Sequence, residues 1–500
     1  MISWRLSDCK LMIFVMLLGN ICYRIFVLYK FAFVFTDSDQ SIMWYAENIF
    51  SSGRFPEPRF FGQDYNTMLE ALLAVPFVSE GFSVYFVLPV ITSVLTLFPF
   101  ILISYLTFLK KSRFSAILIL AIPLILPIEY HFITCMPRGF VTGLFFAGFC
   151  TLPLFFEQSK LAYFMAGFAT IFAYSVNANS IIFSLSCCLL VFLYHFRDKN
   201  LYLYGGAGLI MALGIHFAIA QFYVNHPNYV LHSYVGEFSF SNLIYGLQHL
   251  DNFFGYVTPI FLNQGWFIFI LFLLFLFLFI KAGKINEIIF IGYVFMLLIL
   301  PLAYSKVHDG TDSVFFSYSR MFLGVPLLLA ICISRLQLDQ FCLRYGLIMI
   351  VPALLIGKIE RINDSIENAI KNESVVAVAK VNDILTNCQK LSYLGKENEI
   401  DYLIIANHWF YDFYTYGCSA CISSFPNTLR PIYERRTWSL IEDMTRVYRN
   451  IFILDVKHKL DDEYKFVTAV DGFEGLYMIQ RNELTTQELL QRLKIEVRKF

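Results

Sequence analysis

Charge is scarce in this chain. Only 15% of its 500 residues are Asp, Glu, Lys or Arg, against about 25% in an average soluble domain, and the 38 basic residues are balanced by 38 acidic ones. Without net charge there is no basic field to gather nucleic acid and no acidic tail, which argues against a nucleic-acid binder. A glycine-rich phosphate loop is also missing, so no nucleotide-binding signature is present. What the chain has in excess is apolar surface: 58% hydrophobic and 18% aromatic residues, with a mean hydropathy of +0.61. That composition belongs to a membrane protein. The charge is also unevenly spread, with 19 basic and 21 acidic side chains after residue 357 and only 36 charged residues before it. Two parts follow, an apolar body (1–357) and a soluble tail (358–500).

A helix crosses a hydrocarbon core of about 30 Å with about 20 apolar residues. About eleven apolar runs are candidates: 11–35, 82–109, 114–128, 140–156, 161–176, 181–194, 201–222, 266–280, 285–304, 321–333 and 345–357. Several between 114 and 194 are short enough to be tilted, broken or re-entrant. Lys and Arg next to a span are retained on the cytoplasmic side. One set of connections (1–10, 110–113, 157–160, 195–200, 281–284, 334–344) holds 12 of them, whereas the opposite set holds only Arg54, Arg59, Arg138, Lys306 and Arg320. The amino terminus is therefore expected in the cytoplasm, with the long loops 36–81, 223–265 and 305–320 and the tail outside an inner (plasma) membrane. No small-residue cleavage site follows the first run, which is read as a retained helix. Eight of eleven cysteines lie in or beside spans and read as packing residues. Cys388, Cys418 and Cys421 lie in the tail, where an oxidising compartment allows one bridge and leaves one thiol. Cys418-Ser-Ala-Cys421 has the spacing of a metal pair but lacks a second pair.

The polar residues collect in the outer loops. In the first, Ile42, Tyr45, Ala46, Ile49 and Phe50 form the stripe of an amphipathic helix suited to a membrane surface, stopped at Gly53. Asp37, Ser38 and Asp39 open that helix; one of them serves as its cap, and a second carboxylate exceeds what a cap requires. Further on, Arg59-Phe-Phe-Gly-Gln-Asp-Tyr-Asn-Thr-Met-Leu-Glu70 mixes rings, amides and acids in the manner of a sugar site, although Asp64 and Asn66 are equally suited to turn hydrogen bonds. Glu129 to Gly139 places Arg138 at the outer interface, either meeting an anion or anchoring a helix end. The loop Tyr304-Ser-Lys-Val-His-Asp-Gly-Thr-Asp-Ser-Val-Phe-Phe-Ser-Tyr-Ser-Arg320 concentrates Lys306, His308, Tyr318 and Arg320. Histidines in 223–265 (His226, His232, His249) lack a metal-binding spacing, and Asn177-Ala-Asn179 reads as a turn.

The acidic pair opening an outer helix, Gly-Gln-Asp-Tyr-Asn-Thr-Met-Leu-Glu-Ala before the second span, and the loop ending at Arg320 resemble the C-type glycosyltransferase superfamily (GT-C). Within it, the plan is similar to the bacterial members related to protein mannosyltransferases and lipid A aminoarabinose transferases. The resemblance implies Asp37 or Asp39 as the catalytic base. It further implies Arg320, helped by Arg138 or Lys306, at the donor phosphate, and Asp64, Tyr65, Asn66, Glu70, His308 and Tyr318 around the sugar and acceptor. Many relatives carry Asp-Glu where this chain has Ser38-Asp39. The activity implied is transfer of a sugar from a polyprenyl-phosphate donor to a lipid, glycan or protein acceptor outside the cytoplasm, with inversion. No cofactor is required by it, and a divalent metal is compatible with paired aspartates. The rivals are a glycan polymerase or ligase, which would rely on arginine-rich loops, and a flippase or transporter, which would place ionisable residues inside spans; apart from Arg24 and Lys30 the spans contain almost none.

The tail alternates helical stretches (374–389, 436–449, 485–497) with β-rich runs at 401–406 and 451–455, the pattern of a small α/β domain. Its aromatic run, Ala406 to Tyr416, reads as packed core in preference to a glycan platform. The whole chain is thus expected to be a polytopic α-helical membrane protein with outer amphipathic helices and a C-terminal α/β domain.

Overall fold

The computed structural model describes residues 6–61, 63, 66–229, 231, 236–262, 264–336, 342–422, 425–429 and 443–496. The chain is mostly helical with a small sheet region. Among the described residues six helices are long and apolar enough to cross a membrane: Cys9–Ala32, Val84–Leu109, Ala178–His195, Leu201–Asn225, Ile285–Ala303 and Tyr318–Leu336. The runs expected as spans at 114–128, 140–156, 161–176 and 266–280 are helical but shorter (Arg113–Ile125, Thr142–Leu154, Lys160–Val176, Phe267–Lys281). At 1.5 Å per residue a helix of 15 residues covers about 22 Å, less than a full hydrocarbon core. The run at 345–357 lies within one long helix, Cys342–Lys371, that continues into charged sequence.

The described chain falls into two compact units. The first takes residues 1–32, 89–218 and 234–375, and contains most of the apolar helices. Its helices approach closely where glycine permits: a Cβ on Gly167 would lie 2.0 Å from the Gly205 carbonyl oxygen, and one on Gly208 would lie 2.1 Å from that of Phe164. Small residues at such crossings are the usual route to tight packing in lipid, where burial of apolar surface offers no gain between helices.

The second unit takes residues 33–88, 219–233 and 376–500. Two short strands, β1 (Phe35–Asp37) and β2 (Val378–Lys380), pair antiparallel and join the first loop to the tail. Hydrogen bonds extend the ladder at both ends, from Ser38 N to Ala377 O (3.0 Å) and from Val381 N to Val34 O (2.9 Å). The tail carries five strands, β3 (Tyr402–Asn407), β4 (Asn427–Leu429), β5 (Ile451–Asp455), β6 (Thr468–Ala469) and β7 (Leu476–Ile479), in the order β4-β3-β5-β7-β6. β3 runs parallel to β4 and β5, and β7 antiparallel to β5 and β6. Side chains alternate across the sheet: Tyr402, Ile404, Ile451 and Ile453 join one core with Leu489 and Leu490, while Leu403, Ile405, Phe452 and Leu454 join another with Ile384, Leu391 and Phe413. A sheet buried on both faces explains why its strands read as continuous apolar runs.

The helices differ from expectation at their ends. The first starts at Val381 and runs to Glu397, because 378–380 is used as strand, and the last is Thr486–Arg492, opened by a capping box of Thr485 and Glu488. The expected helix 436–449 lies largely outside the described residues. The aromatic run is core, with Phe413, Tyr414 and Tyr416 buried, although Trp409 is exposed. Cys388 and Cys418 form the one expected bridge, and Cys421 keeps a thiol that burial pushes up to about 12. The bridge closes a loop of 30 residues and ties helix 381–397 to the segment 413–421. Closing a loop of that size stabilises by about 3 to 4 kcal/mol in the chain-entropy picture. Cys388→Ser should therefore lower the melting temperature and speed proteolysis within 381–421. A thiol reductant should do the same to the wild type and nothing further to the variant.

Candidate functional site

The first-loop helix, Ser38–Ser51, is where expected, but it is not a surface helix. Ten of its fourteen residues are buried, including Ser38, Gln40, Ser41, Trp44 and Glu47 on the face expected to meet water. The periodic stripe reported one apolar face, whereas the opposite face is also covered, with Gly417 of the tail against Ser41 and Trp44; the tail reaches the stripe as well, the Tyr416 ring lying 5.5 Å from Tyr45 and 6.3 Å from Phe61. The polar groups thus enclosed bond locally, Ser41 Oγ to Ser38 O (2.7 Å) and Ser51 Oγ to Glu47.

The two aspartates differ in what holds them. Asp37 ends β1, is fully buried, and caps the helix: its carboxylate accepts from Gln40 N (3.0 Å) and Gln40 Nε2 (2.8 Å). Asp39 lies one position inside the first turn, half-buried, where the helix dipole favours a negative charge. Further along the loop, Asn66 makes the turn bond anticipated for it, Oδ1 accepting from Thr67 N at 2.8 Å. Glu70 is fully buried in the first turn of helix Leu69–Ser79. Asp64, Tyr65 and His232 lie outside the described residues. A neighbouring polar group was not foreseen: Tyr223 Oη donates to Glu57 (2.9 Å) and accepts from Arg59 N (3.2 Å), all three residues being buried.

In the first unit, the basic residues converge on the loop 305–320. Arg320 is buried at 5% exposure, and its Nη1 donates to the carbonyls of Phe316 (3.1 Å) and Ser317 (2.8 Å) while Nη2 reaches that of Asp309. The guanidinium also lies 4.0 Å over the Phe316 ring. Arg138, equally buried, donates to the Phe315 carbonyl. Asn179 Nδ2 holds the Arg320 carbonyl at 3.1 Å and that of Phe140 at 2.8 Å, so the Asn177–Asn179 turn also serves as a brace. Two arginines and an amide thus shape the backbone of this loop. Lys306 pairs with Asp309 at 3.4 Å and keeps a quarter of its side chain exposed. The ring of His308 bonds the Leu302 carbonyl (2.7 Å) and, like Tyr318, packs against Phe253. Among the described residues no cluster of three His, Cys, Asp or Glu is arranged to hold a metal.

One buried group in the same unit escaped the sequence reading. Arg24, inside the first apolar helix, donates to His131 O (3.1 Å) and Thr134 Oγ1 (3.0 Å), and its Nε and Nη2 have no hydrogen-bond partner among the described residues. Lys358 is also buried, with Nζ on the Leu124 carbonyl (2.7 Å) and 5.0 Å from the Tyr23 ring. Glu129 is attracted to Lys358, and burial pushes its carboxyl up. The only sequence signal was Arg24 within an apolar run; its neighbours lie more than 100 residues away.

No protein-family model, no curated protein and no solved structure matches this chain.

Glu47 provides a pH test of the enclosed helix. Burial raises its carboxyl above the ordinary range, and the Ser51 hydroxyl offsets part of that. An acid with a raised folded pKa binds its proton more tightly when folded, so stability is greatest below the ordinary value and declines as pH rises toward the raised one. Glu47→Gln should therefore melt above wild type near pH 8 and show no such gain near pH 4.

Proposed function

We propose that this chain is an integral-membrane glycosyltransferase of the GT-C kind, moving a sugar from a polyprenyl-phosphate donor to a hydroxyl of a lipid, glycan or protein acceptor. The observation that carries the reading is the division between the two loop aspartates. Asp37 is fully buried in the helix cap, whereas Asp39, two residues later in the first turn, stays half-buried, and the role of base is therefore assigned to Asp39. Asp39 takes the proton of the acceptor hydroxyl as that oxygen bonds to the anomeric carbon. The bond from carbon to the phosphate oxygen breaks in the same displacement, its electron pair leaves with the lipid phosphate, and the anomeric configuration inverts. Lys306, the more exposed cation of loop 305–320, stabilises the departing phosphate, while Arg320 and Arg138 keep the loop in shape. Asn66, Glu70, His308 and Tyr318, with Asp64 and Tyr65, are assigned to the sugar and acceptor.

An external site is supported by the composition of the second unit. A compact unit built from 33–88, 219–233 and 376–500 requires those segments to share a compartment. The Lys/Arg bias of the other connections supports a cytoplasmic amino terminus, and with it an external position for this unit, in keeping with its disulfide.

A second reading, a flippase or transporter for an anionic lipid-linked glycan, is favoured by Arg24, Lys358 and Glu129, since ionisable groups buried in a membrane unit commonly mark a substrate path. Purified protein in nanodiscs, offered labelled polyprenyl-phosphate sugars, separates the two. Transfer is expected to fall at least about 100-fold in Asp39→Asn and about tenfold in Lys306→Met, with Asp37→Asn chiefly less stable. Absence of transfer from every donor, together with lipid translocation that persists in Asp39→Asn and stops in Arg24→Gln, would replace the first reading with the second.

A further inference from the structure

The tail contains a cavity of 320 Å³ that the transfer chemistry does not use. It lies at the carboxyl ends of β3 and β5, where Asn407 and Asp455 stand opposite one another. From β3 the chain goes first to β4 on one side and then to β5 on the other, so the gap between β3 and β5 is the point at which the strand order reverses. Open α/β sheets bind their ligands at such a point, because connections leaving in opposite directions open a crevice there.

The residues around the crevice are built in, not incidental. Asp455 is 1% exposed, and both carboxylate oxygens are used: Oδ1 accepts from Lys457 N (2.8 Å) and His458 N (3.1 Å), Oδ2 from Asn407 Nδ2 (3.0 Å) and His458 Nδ1 (2.9 Å). The carboxylate oxygen accepts in this contact, so His458 Nδ1 carries the proton of the bond and the imidazole is held in place by it. Tyr477 Oη further fixes this turn by donating to His458 O at 3.0 Å. Around the fixed imidazole the lining divides by character: Leu460, Leu493 and the Tyr464 ring on the apolar side, and Glu463, Glu496 and Lys494 as polar groups.

That lining selects a ligand class. Three carboxylates against one lysine repel phosphates and nucleotides, and no glycine-rich loop is present to bind them. No metal set of three ligands occurs among the described residues. A neutral ring with hydroxyls along its edge and an apolar face matches both sides of the pocket, and 320 Å³ is at the small end of the ligand-site range of about 300 to 1,000 Å³. We infer that this pocket binds a sugar, either a monosaccharide or the terminal residue of a glycan, with its hydroxyls on His458, Glu463 and Lys494 and its carbon face on Tyr464. The inference is independent of the transferase reading.

The test is titration of the full-length protein in nanodiscs with glucose, galactose, mannose, N-acetylglucosamine and inorganic phosphate, read by saturation-transfer NMR and calorimetry. At least one sugar should bind, with Kd rising about tenfold in Glu463→Gln and in His458→Ala and unchanged in Asp39→Asn. Both pocket residues are exposed; Glu463→Gln leaves the bonds of Asp455 in place and His458→Ala removes one of them, and an unchanged melting temperature with an intact Cys388–Cys418 bridge verifies that each variant is folded. No sugar binding by protein passing those checks, binding insensitive to both pocket variants, or binding of phosphate alone would each overturn the inference. Absence of transfer by the wild type from every donor, with sugar binding retained, would count against the transferase and leave the pocket standing.

Discussion

Three backbone pairs between Phe35–Asp37 and Val378–Lys380 are the constraint on which much of this structure depends. They join the first loop to a tail more than 300 residues later, and they end at the residue that caps the loop helix. Once β1 is held against β2, Asp37 has its backbone fixed in an extended conformation, as a helix cap requires, and its carboxylate meets the exposed amide of the first turn. The helix then has to run beneath the aromatic segment of the tail, which encloses it. Its polar face becomes buried, and Ser41 and Glu47 bond within the helix because water is no longer there to satisfy them.

In the membrane-rich unit the comparable constraint is the backbone of the loop 305–320, which follows a series of tight turns and leaves carbonyls pointing inward. Carbonyls buried away from water need donors. Arg320 and Arg138 supply them, each guanidinium offering several N–H groups in a plane. A lysine could supply a charge at either site but not the same fork of donors. This explains why a loop of such irregular backbone holds two deeply buried arginines, while the lysine of the same loop stays partly in solvent.

Much of the fold was legible in the chain. Apolar runs announced the membrane helices, since hydropathy is a local property, though run length alone did not separate the spanning helices from shorter ones such as Phe267–Lys281. The tail was readable as α/β from its period, and its three cysteines as one bridge and one thiol. Asn66 stood out as a turn residue and Asp37 as a possible cap. The burial of the loop helix was not legible, because a stripe at i, i+3 and i+4 reports one apolar face and is silent about a second face covered by distant residues.

The sequence by itself determined the class of the protein, the position of its apolar helices and the composition of the loops between them, all of which follow from properties of neighbouring residues. Tertiary structure decided which aspartate is a cap, what the arginines hold, that the buried Arg24 and Lys358 and the half-buried Glu129 lie near one another, and that Asp455 fixes His458 beside a crevice opposite Asn407. Arg138, Arg24 and Lys358 meet groups more than 100 residues away, set by helix packing, whereas Asp37 and Arg320 bond nearby groups in backbone conformations that the fold imposes. A pattern read along the chain carries the donors and acceptors, and only the fold determines which of them meet.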